Sequence, residues 1–175
     1  MKKNILYILT LLLLAACSKD DDSAVEEWQL QNEQAFNAIA KNPEYTEIKS
    51  PGNNGSIYYK VLQKGTGTKP IYYTSTVGAY YKGWFVAAYA DKGITAGTVF
   101  DQKLFDDGTP LQTVVGTGVI GGWTVALQHM VEGDKWEIWI PYQLGYGVSG
   151  SEAIPGYSTL AFEIEVVKVY GVEEL

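Results

Sequence analysis

The feature that most constrains this chain is the alternation near its C-terminal end. From Thr159 to Val169 apolar and charged side chains take turns: Leu160, Phe162, Ile164 and Val166 fall on one face, Glu163 and Glu165 on the other. A period of two is that of a β-strand with one face buried and the other in water. Lys135 to Ile140 repeats it until Pro141 stops the run. Ile57–Leu62, Thr76–Phe85 (interrupted by Gly78 and Gly83) and Leu111–Val115 are further β-branched and aromatic runs of strand length. Among them, one stretch keeps the helical period. Trp123, Ala126, Leu127 and Met130 stand at i, i+3, i+4 and i+7, and Gly133 ends that segment. Half-buried strands need a common cover, and one apolar helix face is available. The pattern predicts an α+β fold in which an antiparallel sheet wraps over a single short helix. Leu127, Ile138, Ile140, Leu160 and Ile164 are its predicted core.

Ahead of this lies a second helical pattern, Ser23 to Ala40. Ser23 and Glu26 have capping-box spacing. Trp28, Asn32, Ala35, Phe36 and Ile39 fall close to one face, with the stripe broken at Asn32, and Asn42-Pro43 stops the helix. Ser50-Pro51-Gly52-Asn53-Asn54-Gly55 reads as a turn-rich joint and places a domain boundary there. The chain starts with Met1-Lys2-Lys3, an apolar run from Ile5 to Leu14, then Ala15-Ala16-Cys17. A basic start, a short apolar region and small residues before a cut are marks of a secretory signal. Leu14-Ala15-Ala16-Cys17 resembles the bacterial lipobox, whose cysteine is lipidated and becomes the first residue of the mature protein. Ser18 behind it resembles an outer-membrane sorting residue, and Asp20-Asp21-Asp22 resembles the surface-export signal of Bacteroidetes lipoproteins. The predicted organisation is therefore a lipoprotein signal peptide at 1–16, an acidic tether at 17–24, an N-terminal helix and linker at 25–55, and the main domain at 56–175.

Composition narrows the chemistry. The 175 residues suit one ordinary domain plus a leader, and 46% hydrophobic content can build a core. With 13 basic against 20 acidic residues the chain is unsuited to nucleic acid and to electrostatic docking on anionic lipid. Cys17 is the single cysteine and His129 the single histidine. An internal disulfide, a thiolate metal cluster and a two-histidine metal site are all excluded, so no metal or cofactor is expected. His129 lies beside the apolar stripe of its helix and is expected at the surface. Gly116-Thr117-Gly118 and Gly121 imitate a nucleotide-binding glycine pattern but do not sit between a strand and a helix of a βαβ unit.

What the chain has in excess is aromatic residues, 5 Trp, 13 Tyr and 5 Phe, and several fall in a telling order. Tyr58-Tyr59-Lys60-Val61-Leu62-Gln63-Lys64-Gly65-Thr66-Gly67 comes first. Tyr81-Lys82-Gly83 is followed by Gly97-Thr98-Val99-Phe100-Asp101, Pro110-Leu111, and Gly116-Thr117-Gly118-Val119-Ile120-Gly121-Gly122-Trp123. Then come Gly133-Asp134-Lys135, Ile140-Pro141, Gly145-Tyr146-Gly147, Ile154-Pro155 and Leu160-Ala161-Phe162-Glu163-Ile164-Glu165. This ordered series, from about Ile57 to Val169, resembles the FKBP-type peptidyl-prolyl cis–trans isomerases, an α+β fold with a strongly bent sheet around one short helix.

The resemblance implies a proline pocket and an isomerase acting without a cofactor on proline-containing polypeptides among exported proteins. Trp123 would floor the pocket. Tyr81, Phe100 and Phe162 would form aromatic walls, and Leu111, Val119, Ile120 and Ile154 an apolar rim. Asp101 would be the polar member at the edge, while the Tyr146 phenol and the Ile120 backbone N–H would donate to substrate carbonyls. Asp101, Tyr146 and Trp123 would carry catalysis, and retention of all three argues against a non-catalytic protein-binding module of the same fold. A third reading, a surface glycan-binding lipoprotein, would need aromatic platforms outside the pocket, such as Trp84 and Trp139. The single lipidation site would be Cys17, at the outer membrane of the cell envelope. The short N-terminal helix lacks the long arms of dimeric secreted relatives, so a monomer is expected.

Three departures stand out. Ala87 to Ala96 reads as an insertion before Phe100, expected to border the pocket. Gly145 and Ala153 thin one wall, which weakens any macrolide inhibitor binding that the family implies. Trp139 faces away from the core if Ile138 and Ile140 face it, and is expected to be covered by the N-terminal helix or the insertion.

Overall fold

The computed structural model describes residues 19–171; the leader, Cys17 and Ser18 lie outside the described residues. Seven strands form one antiparallel sheet: β1 (Thr46–Lys49), β2 (Ser56–Gln63), β3 (Thr76–Phe85), β4 (Val99–Lys103), β5 (Leu111–Val114), β6 (Lys135–Ile140) and β7 (Leu160–Val169). Their spatial order is β1-β2-β6-β7-β3-β4, with β5 also on β3. Two α-helices accompany them, α1 (Lys19–Ala40) and α2 (Gly121–Leu127).

The period-two reading assigns faces correctly. In β7, Leu160, Phe162, Ile164 and Val166 are buried, and so are Trp136, Ile138 and Ile140 of β6. Paired residues share a face. Ala79 lies opposite Val166, Tyr81 opposite Ile164, Gly83 opposite Phe162 and Phe85 opposite Leu160. This one surface therefore runs unbroken across three strands. α2 lies over it, with Trp123, Ala126 and Leu127 buried, and reaches β1 and β2. Full burial of each Leu or Ile contributes about 1.5–3 kcal/mol. All five predicted core residues are completely buried.

Three expectations need correction. Two strands have no counterpart in the reading above. β1 lies inside the predicted linker and pairs with β2 from Thr46–Tyr59 to Lys49–Ser56. The Ser50–Gly55 joint is thus the turn of a hairpin, closed by the Ser50 N–H on the Gly55 carbonyl at 2.9 Å, and the sheet begins before it. β4 has too irregular a pattern to show period two. Its pairing shifts at Phe100, because Trp84 opposes Val99 and Gly83 opposes Asp101. Finally, Ser23 is not a helix cap: α1 begins at Lys19 and runs 22 residues, so it takes in most of the predicted tether. Acidic residues such as Asp22 suit the positive end of a helix dipole, which favours an early start.

Trp139 is half-buried and faces away from the core, as expected. Its indole N–H donates to Glu137 Oε1 at 2.8 Å, and the Tyr45 hydroxyl donates to the same oxygen at 2.6 Å. Its pairing partner on β2, Tyr58, meets Phe36 of α1 edge to face at 5.4 Å. His129 is exposed, as expected, with its Nδ1 2.9 Å from the Val125 carbonyl. Among the described residues no helix is long and apolar enough to cross a membrane.

Candidate functional site: an aromatic cavity over α2

The core face is left open at one end. There the segment before α2, strands β3, β4 and β7, and the loop after β6 surround a cavity of about 190 Å³. Its floor is Trp123, one turn into α2. Tyr81 meets Trp123 edge to face at 5.1 Å, and Phe162 does so at 5.5 Å and 90°. Phe100 meets Phe162 at 5.4 Å and 87°. Edge-to-face rings hold one another in place, so the walls are set before any ligand arrives. Leu111, Val119 and Ile120 complete the apolar lining.

Two local devices bring these groups together. The first is the bulge in β4. Successive residues of a regular strand face opposite sides, so Phe100 and Asp101 could not both line one cavity. The extra residue re-aims the chain, and both do. The second is Gly83. A Cβ there would lie 2.5 Å from the Phe162 ring and 2.7 Å from the Phe100 ring, closer than carbon atoms can approach. Glycine lets the two walls meet over the strand.

The polar groups lie at the rim. The Tyr81 hydroxyl donates to Asp101 Oδ2 at 2.7 Å. Burial, and then this bond to a carboxylate, push the Tyr81 phenol well above the ordinary tyrosine range. Burial pushes Tyr146 up as well, with the charge of Asp101 adding to it. Both phenols therefore stay protonated and remain donors at neutral pH. Tyr146 is 39% exposed, and among the described residues its hydroxyl has no protein partner. The Ile120 N–H likewise has no protein acceptor among the described residues, since the backbone bonds there run to the Ile120 carbonyl. Two donors and one carboxylate thus surround an apolar hole large enough for a five-membered ring.

Nine of the ten predicted pocket residues line this cavity: Tyr81, Phe100, Asp101, Leu111, Val119, Ile120, Trp123, Tyr146 and Phe162. Ile154 does not. It is 4% exposed and belongs to the core behind the wall, because Ser151 donates to its carbonyl at 2.7 Å and turns the segment inward. Gly118 is a lining residue that the sequence reading missed; its place one residue before Val119 was the available signal. None of residues 87–96 lines the cavity, which corrects the expectation that the insertion borders it.

Residues 67–167 match the family model of the FKBP-type peptidyl-prolyl cis-trans isomerases. The chain belongs to this family. An FKBP-type 22 kDa peptidyl-prolyl cis-trans isomerase of Escherichia coli is 36% identical over 143 residues, 78% of this chain and 64% of that protein. An FK506-binding protein of Neisseria meningitidis is 36% identical over 118 residues, 66% of this chain and 98% of that one. The crystal structure of a peptidyl-prolyl cis-trans isomerase from Pseudomonas syringae superposes with a TM-score of 0.65 at 29% identity, covering 86% of this chain and 96% of that one. The FKBP assignment explains why so small a cavity is so aromatic. The family model starts at residue 67, but the Pseudomonas syringae structure covers 86% of this chain, so the likeness extends into the segment upstream of it.

Proposed function

We propose that this chain accelerates cis–trans rotation about Xaa-Pro bonds in polypeptides, by non-covalent catalysis in the aromatic cavity. The observation that carries the reading is the cavity itself: Trp123 as an indole floor, two ring walls, and the Tyr81–Asp101 pair at the rim.

Rotation about a peptide bond meets a barrier of about 18–20 kcal/mol, which amide resonance sets. For Xaa-Pro the two planar isomers are close in energy but exchange over tens to hundreds of seconds. No bond breaks. The protein need only bind the twisted amide better than either planar form. A planar amide is the more polar species, so an apolar cavity that excludes water favours the twisted one. Tyr146 and the Ile120 N–H can hold the flanking carbonyls while the ring turns. Burying on the order of 100 Å² of ring and neighbour at about 25 cal/mol per Å² contributes roughly 2–3 kcal/mol. Recognition is therefore weak and tolerant of sequence, which suits action on many folding chains.

The lipobox-like Leu14-Ala15-Ala16-Cys17 supports a further reading, an outer-membrane lipoprotein of the cell envelope held by acyl chains at Cys17 and acting as a folding helper for exported proteins. Two or more chains would anchor it firmly, where one would not. The same reading includes a monomer, and the aromatic cavity supports weak binding of macrolide inhibitors.

The deciding measurement is the isomerisation rate of Xaa-Pro peptides with the wild-type chain, Asp101→Val and Tyr146→Phe. Acceleration by wild type and its loss in Asp101→Val are expected. No acceleration by wild type removes the enzyme and leaves a binding module. Mass analysis of the mature N-terminal peptide, with Cys17→Ser as control, tests the anchor.

A further inference from the structure

We propose that α1 is a working part of the catalytic domain, with Trp28 and Asn32 as positioning residues that hold the two segments flanking the proline pocket. The inference rests on the isomerase reading above.

Among the described residues of α1, Trp28 and Asn32 are the two that are buried, each 1% exposed. They stand one turn apart, and neither is a simple apolar contact. The Trp28 indole N–H donates to the Gly156 carbonyl at 2.9 Å. Asn32 Oδ1 accepts the Thr159 N–H at 2.8 Å, its backbone carbonyl accepts the Thr159 hydroxyl at 3.2 Å, and its Nδ2 donates back to the Trp28 carbonyl at 2.8 Å. Every polar atom of the Asn32 side chain is thereby used. This is the polar break in the α1 stripe, and it is a designed contact: a buried amide is tolerated only when its bonds are made.

These bonds reach the segment between β6 and β7 that also carries Tyr146. Tyr157, next to Gly156, donates its N–H to the Gly147 carbonyl at 3.0 Å, one residue past Tyr146. Thr159 leads directly into β7, whose Phe162 is a pocket wall. The α1 contacts therefore fasten the Tyr146 loop at its return end.

The indole ring reaches the other flank. Trp28 stacks on Tyr89 of the insertion at 5.1 Å and 21°, and meets Phe85 edge to face at 6.0 Å. Phe85 contacts Phe100 at 5.0 Å, and Phe100 contacts Phe162. A continuous run of packed rings thus leads from α1 to the pocket walls. It also gives the insertion a purpose. Residues 87–96 line no part of the cavity, but Ala87 and Tyr89 are buried and the Tyr89 ring forms the far side of the Trp28 seat. The Tyr89–Ile94 bridge, with N–H bonds of 2.9 and 3.0 Å in both directions, keeps that seat rigid. Loops that carry catalytic groups are soft unless something holds them, and small displacements there cost rate.

The test uses the full chain, with the exposed Leu30→Ala on the same helix as control. Trp28→Leu, Trp28→Phe and Tyr89→Leu are assayed on a series of Xaa-Pro peptides, at a temperature where circular dichroism shows each to be fully folded. Trp28→Leu should lower kcat/KM about tenfold, mainly through kcat, since the groups it displaces act on the twisted state. Trp28→Phe, which keeps ring contacts but loses the N–H, should recover part of that. Should Trp28→Leu fail to fold, Tyr89→Leu carries the test, with an expected loss of about threefold. In parallel, the side-chain resonances of Tyr146 and Phe100 should shift in Trp28→Phe while those of Leu127 stay. Folded variants with kcat/KM within twofold of wild type and unmoved Tyr146 and Phe100 resonances overturn the proposal. An inactive wild type overturns the isomerase reading instead, and the resonances still decide whether α1 sets the pocket.

Discussion

The Tyr81 hydroxyl and Asp101 Oδ2 lie 2.7 Å apart across the β3–β4 pair. In that pair Gly83, not Tyr81, is directly opposite Asp101. The bond is therefore diagonal, offset by two residues along the strand, and it is within reach because a phenol is long. It fixes the carboxylate at the pocket rim and the Tyr81 ring against Trp123 at the same time.

Tyr81→Phe keeps the ring contact and removes the bond. The carboxylate loses its orientation but not its solvation, since Asp101 is exposed. The expected outcome is a stable protein whose kcat/KM falls about three- to tenfold, at roughly 0.7–1.4 kcal/mol of a charge-assisted bond. Steady-state peptide isomerisation and thermal unfolding on the same sample check it; a wild-type rate would mean that Asp101 needs no orienting.

Gly83→Ala tests the approach of the two walls. The added methyl would overlap both the Phe162 and Phe100 rings. Overpacking of this kind costs about 1–3 kcal/mol in stability, and the rings can relieve it only by moving into the cavity. Activity should fall further than stability does. Denaturant unfolding gives the first quantity and peptide isomerisation the second.

Leu127→Ala removes a completely buried side chain from the last residue of α2 without touching the pocket lining. A loss of about 2–5 kcal/mol is expected from transfer and cavity terms together. Activity of the folded fraction should stay near wild type. If activity per folded molecule collapses as well, α2 does not hold Trp123 independently of its core contacts.

The alkaline limb of stability should carry a Tyr45 signature. Burial, and then the bond to Glu137, raise the Tyr45 phenol from 10.0 to about 12. A folded pKa above the unfolded one means that the neutral phenol is favoured by folding. Its contribution is complete below pH 10 and is lost as pH climbs from about 10 to about 12. Tyr45→Phe should be less stable than wild type at neutral pH and should lose less on going to that window. Chemical denaturation at stepped pH, with tyrosinate absorbance followed in parallel, measures both.

Much of the pocket is legible in one dimension. Phe100, Asp101, Trp123, Tyr146 and Phe162 sit in short runs whose order along the chain is itself the signal. Trp28 and Asn32 show the limit. Asn32 reads as a flaw in an apolar stripe because the two donors that satisfy its oxygens, the N–H and hydroxyl of Thr159, lie 127 positions away. Ile154 shows the opposite limit: its residue type fits a pocket rim, but a turn carries it behind the wall.

The sequence by itself determined which faces are buried, since a side-chain period of two or 3.6 follows from the backbone alone. It determined the α2 cover and the aromatic stock of the cavity. Only the tertiary structure decided that Phe100 and Asp101 share a cavity, that β1 joins the sheet, and that α1 docks on the pocket's two flanks. Each of those depends on a bulge, a pairing or a hydrogen bond between distant segments, and no local pattern records what a residue meets across the fold.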